Sequence, residues 1–192
     1  MPGRVVLVAA LLLQPAPMRW PAGSAILVWI DPTGAPAGAE DLVARAQTTW
    51  NGAVAPRITL ARTRASSDAA VRVRFARGGG VYGETSPRVD RATGSIVGAE
   101  IVIAASAGGD DPLSQQIIVY LTALHELGHA LGLPHTDTFA DIMYRFQRPG
   151  DGERYFAAFR RRLRSERDIG SARATGLSAD DVAAVRALYD VR

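Results

Sequence analysis

The sequence predicts an α+β domain, a mixed sheet with helices packed on it. Five β-patterned segments with one helical segment among them run from Ala25 to Ala104. A long apolar segment on a helical period then runs from Asp111 to Leu131, and a last helical stripe closes the chain.

Ala25 to Ile30 (AILVWI) is apolar and β-favouring, and Asp31-Pro32-Thr33-Gly34 stops it with a turn signal. From Ala39 to Gly52, Leu42, Val43, Ala46 and Trp50 fall at helical spacing, with Glu40, Asp41 and Arg45 on the other side. Arg57 to Arg64 and Ala70 to Phe75 alternate apolar and polar residues, as half-buried strands do. Val81 to Thr85 is a short edge-strand candidate, Pro87 to Gly94 reads as a turn-rich link, and Ser95 to Ala104 reads as a strand. Asp111 and Pro112 pair as N-cap and first-turn residue of the long helix, which Gly132 and Pro134 end. Glu153 to Arg167 reads as an Arg-rich helix, and Ser178 with Asp181 resembles a capping box before the stripe Val182, Val185, Leu188 and Tyr189.

The N-terminus reads as an export signal. A basic tip, Met1 to Arg4, precedes the apolar run Val5 to Leu13, and Gln14, Pro15 and Pro17 break it. The run is too short to span a bilayer, which takes about 20 residues. Residues 1–20 are therefore assigned to a signal peptide, cut between about residues 16 and 25, and residues 21–192 to one domain of a secreted protein.

Composition excludes several classes. There is no Cys, so disulfides, thiolate ligands, a Cys nucleophile and a lipoprotein anchor are ruled out. The formal charge is only +3, and the basic residues, all Arg, are scattered except for Arg160, Arg161, Arg162 and Arg164. That run favours a solvated helix face over an anionic-surface arm, and no nucleic-acid partner is expected.

The chemistry lies in His125-Glu126-Leu127-Gly128-His129-Ala130-Leu131-Gly132-Leu133-Pro134-His135. His125 and His129, four apart on a helix, project from one face and can share one zinc ion. Glu126 stands beside the metal without binding it, the position of a general base for activated water. Gly132 can take the left-handed turn that brings His135 back as third ligand, leaving the fourth position open. All three histidines of the chain lie inside this motif, whereas ordinary core or surface histidines would be scattered. Downstream, Met143 in Asp141-Ile142-Met143-Tyr144 fits a turn that sets a Met beneath the metal.

These residues resemble the metzincin zinc peptidases and, within them, the matrixins. His125 to Thr136 is similar to the family's helix and loop, and Leu177 to Asp181 with Leu188-Tyr189 to its last helix. Trp20, and the helix ending in Trp50, also sit where the family's catalytic domain begins. The resemblance implies a mixed five-stranded sheet with one antiparallel edge strand above the cleft, on which extended substrate pairs. It also implies a buttress from Asp181 under the Met-turn, and a substrate rim at Val81, Tyr82, Gly83 and Tyr144. The implied activity is that of a zinc endopeptidase on a protein or peptide substrate, with one catalytic Zn2+ and a monomeric chain.

Departures from the family are visible. No histidine remains for a second, structural zinc, and no Cys for a propeptide switch. The Gly78–Asp90 loop has few carboxylates for the calcium that family members often bind. Arg145 stands where the family has Pro, and a longer segment follows it. The rival reading is an exported zinc-containing binding module without proteolytic activity, but a purely structural site has no use for Glu126.

Overall fold

A computed structural model describes residues 18–77, 82–105 and 111–191. Most of the expected signal peptide lies outside the described residues. Among the described residues no helix is long and apolar enough to cross a membrane.

The elements are β1 (Ala25–Ile30), α1 (Ala39–Val54), β2 (Thr59–Thr63), β3 (Val71–Ala76), β4 (Gly83–Val89), β5 (Ile96–Ala104), α2 (Pro112–Ala130), α3 (Asp151–Arg160) and α4 (Ala179–Leu188). They form the α+β architecture with a five-stranded mixed sheet, in the order β2-β1-β3-β5-β4. The first four strands of that order run parallel, and β4 pairs antiparallel with β5 at the edge.

Alternation along the strands decides which face is covered. Ile26, Val28 and Ile30 on β1, Val71, Val73 and Phe75 on β3, and Ile101 and Ile103 on β5 are buried under the helices. Arg72 and Arg74 alternate to the other face, where both reach Glu100, at 3.2 and 3.0 Å.

The helices α1 and α2 are locked together by Trp50. Its ring is fully buried, and its Nε1 donates to the Leu124 carbonyl at 2.8 Å. The far end of α2 is tied as firmly. Trp20 Nε1 donates to the Ala130 carbonyl at 2.7 Å, and the Tyr189 hydroxyl to the Leu131 carbonyl at 2.6 Å. Two carbonyls that a helix end leaves without intrahelical partners are thus satisfied by residues from both ends of the described chain.

Two expectations are corrected. The edge strand does not stop at Thr85, and Pro87 to Gly94 is not all turn, because β4 runs on through Pro87 to Val89 with an irregular register at Arg88/Val89. Proline lacks an N–H to give the ladder, and an edge strand has one side that needs none. The turn is confined to Asp90–Gly94, where Asp90 Oδ1 accepts from the Ala92 amide at 2.7 Å. The expected helix over Glu153 to Arg167 is instead α3, which starts at Asp151 and stops at Arg160. Arg160 turns back to Asp111 and Ser114 at the start of α2, while the Asp168 carboxylate takes the Arg164 amide at 2.7 Å and draws the backbone out of the helix.

Trp50→Ala removes the ring that joins α1 to α2. The expected loss of stability is about 3–5 kcal/mol, read as a lower denaturant midpoint at unchanged metal content per folded molecule.

Candidate active site

The last turn of α2 builds the site. Gly132 has φ of 99°, a left-handed conformation that favours glycine. Its amide donates to the His129 carbonyl at 2.9 Å and the next amide, Leu133, to the Gly128 carbonyl at 3.0 Å. That pair of bonds is a Schellman motif, which ends the helix and reverses the chain. A side chain at Gly132 would also run into the Met18 carbonyl. The reversal carries His135 back to the ring of His129.

The three rings converge. His129 Nε2 lies 3.1 Å from His125 Nε2 and 3.1 Å from His135 Nε2. Among the described residues, these three make up the group of His, Cys or carboxylate side chains that can hold a metal. Four tetrahedral ligands at about 2.0–2.1 Å from zinc stand roughly 3.3 Å apart, close to what is seen.

Proton bookkeeping tests the fit. His125 Nδ1 lies 2.6 Å from the Ile142 carbonyl, and His129 Nδ1 lies 2.9 Å from the Leu133 carbonyl. A carbonyl only accepts, so both Nδ1 atoms carry the proton and both Nε2 atoms are bare lone pairs. Two bare acceptors facing each other at 3.1 Å repel unless a cation lies between them, so the donor set fits a metal ion. Burial reinforces this. It pushes the His125 pKa down to about 4, and those of His129 and His135 below the usual range, so all three are neutral at pH 7.

Behind the three imidazoles lies a second set of bonds. The Asp181 carboxylate accepts from the amides of Ile142 at 2.8 Å and Met143 at 3.4 Å, and from Ser178 at 2.8 Å. Burial raises its pKa, although these donors pull it the other way. Ser178 and Asp181 close the capping box of α4, and Ser178 Oγ also donates to Asp141 at 2.8 Å. The turn Asp141–Tyr144 is thereby fixed, and the Ile142 carbonyl with it. Asp181 sits where the resemblance set it.

Met143 lies under the helix, fully buried, its sulfur against Gly128. A side chain at Gly128 would displace that sulfur and meet Trp50 Cζ2 at 3.1 Å. The glycine between His125 and His129 is therefore a packing requirement, set against its cost of about 1 kcal/mol in a helix interior.

Glu126 is buried between α2 and β4. Thr85 Oγ1 donates to its Oε2 at 2.6 Å. Burial raises the carboxyl pKa to about 7, the Thr85 hydrogen bond opposes the rise, and Glu84 adds to it. A dication at the three imidazoles would favour the charged carboxylate and oppose that rise.

The expected rim residues fare differently. Val81 lies outside the described residues. Gly83 begins β4 against Glu126. Tyr82 packs edge-on to Phe156 of α3, ring centroids 4.8 Å apart. Tyr144 is buried and its hydroxyl donates to Asp151 Oδ2 at 2.9 Å, so it presents a packed ring rather than a free hydroxyl. Sequence reading missed Thr85 as a partner of Glu126. It also missed Phe146, exposed, with its ring centroid 5.9 Å from that of His125. The signal for Thr85 was its even spacing from Gly83 on the strand, while Phe146 carried none.

A helix with two imidazoles, a glycine turn to a third and a methionine beneath is the arrangement of the metzincins. The sequence profile of the matrixin family matches residues 32–155, well over half of the chain, and the chain belongs to that family. Family membership implies zinc metallopeptidase chemistry. No curated protein matches the chain.

Asp181→Ala strips a buried acceptor from three amides. Stability should fall by about 3 kcal/mol, and zinc affinity by roughly 10- to 100-fold because the carbonyl that orients His125 loosens. Calorimetry and competition with a chromogenic chelator read the two separately.

Proposed function

We propose that this chain is an exported zinc endopeptidase that hydrolyses internal peptide bonds of protein or peptide substrates. The observation that carries the reading is the convergence of three imidazole Nε2 atoms, two of them held bare by Nδ1 bonds to carbonyls and borne by the helix that also carries the buried carboxylate of Glu126. Export rests on the basic tip and apolar run of the first residues.

His125, His129 and His135 would hold one zinc ion. When bound, zinc supplies Lewis-acid chemistry that polarises a carbonyl and makes water a competent nucleophile near neutral pH. Glu126 takes the proton of the attacking water and later delivers it to the leaving amine, which needs no covalent enzyme intermediate. Extended substrate adds as a further strand along β4, whose outer edge has no sheet partner among the described strands. Phe146 and the rings packed on it, Tyr144 and Tyr155 at 5.4 Å each, offer an apolar wall next to His125.

Glu126→Ala should keep its zinc and lose nearly all turnover on casein or a quenched fluorescent peptide. Wild-type cleavage by that variant would remove Glu126 from the role of base. Chelation should abolish activity and added zinc restore it. A folded, zinc-loaded chain that cleaves no peptide in a broad library would instead favour the non-proteolytic binding module.

A further inference from the structure

The strand on which substrate would pair is also joined to the carboxylate that would do the proton transfer. Gly83 and Thr85 are two apart on β4, so they share one face of the strand. That face meets α2 at Glu126.

Each of the two residues deals with one oxygen of the carboxylate. A Cβ at Gly83 would lie 2.7 Å from Glu126 Oε1, 2.9 Å from its Cγ and 2.6 Å from Thr122 Cγ2. Only the absence of a side chain leaves that oxygen its place. The Thr85 hydroxyl lies 2.6 Å from Oε2 and 3.0 Å from the Glu126 backbone carbonyl. It has a single proton, and the shorter contact to the more highly charged acceptor takes it. Glu126 is 4% exposed, so water does little to orient it.

We propose that Thr85 is a positioning residue for the Glu126 carboxylate, its hydroxyl fixing one oxygen while Gly83 leaves the gap that the other needs. This rests on the peptidase reading of the same site. A carboxylate offers about four acceptor directions and Thr85 occupies one, so proton transfer is still open to the rest. Tying the base to β4 also sets its height relative to any peptide paired along that strand. A misplacement of about 1 Å in a reacting group can cost on the order of a hundredfold in rate.

The test compares Thr85→Val, which keeps shape and strand preference but loses the hydroxyl, with Thr85→Ser, which keeps the hydroxyl. Zinc content and melting temperature are measured alongside turnover of a quenched fluorescent peptide. Thr85→Val should lose roughly 10- to 100-fold in kcat, the scale of a lost hydrogen bond to a charged group, with KM within about twofold. Thr85→Ser should restore most of kcat. Crystal structures of the metal-free variants supply a second readout, with Glu126 in one orientation in wild type and Thr85→Ser and in several in Thr85→Val. A Thr85→Val enzyme with wild-type kcat and an ordered Glu126, or a Thr85→Ser enzyme as slow as Thr85→Val, overturns the proposal. If wild type and Glu126→Ala are equally inactive with zinc bound, the peptidase reading fails instead, and the orientation of Glu126 still decides whether Thr85 holds it.

Discussion

The site depends on where two protons sit. His125 and His129 each give their Nδ1 proton to a backbone carbonyl, Ile142 and Leu133 respectively. Those bonds settle the tautomer, hold the ring planes and leave two Nε2 lone pairs aimed at one point. Neither carbonyl is free to wander. Leu133 belongs to the Schellman turn at Gly132, and Ile142 to the turn that Asp181 holds from below. The imidazole geometry is therefore inherited from backbone structure.

The same economy appears in the glycines. Gly128 makes room for the Met143 sulfur, Gly132 for the reversal of the chain against Met18, and Gly83 for Glu126. In each case a Cβ would occupy space that another group already fills. These are close approaches between elements, which explains why glycines stand where the elements of the site pack against each other.

Much of this was legible in advance. The ends of β1 coincide with its apolar run, the capping box of α4 forms with Asp181 in place of the usual Glu or Gln, and the helix carrying His125 and His129 stops at the expected glycine. Local pattern sufficed there because each signal acts within a few residues. It failed at β4, where Pro87 looked like a breaker but lies on an edge, and at α3, where a run of arginines looked helical but is drawn off by Asp111 and Asp168. Both outcomes depend on partners distant in the chain.

The sequence by itself determined which side chains could hold a metal, since its three histidines share one motif whose spacing follows from the helical repeat and a glycine turn. It also determined the class of fold, because strand and helix periods are local properties. Only the tertiary structure decided what surrounds that motif: Thr85 on Glu126, Phe146 beside His125, and Asp181 beneath the Ile142 amide. Such contacts join residues 21 to 41 positions apart, and no period or spacing along a chain encodes which distant side chain a packed interior will bring alongside.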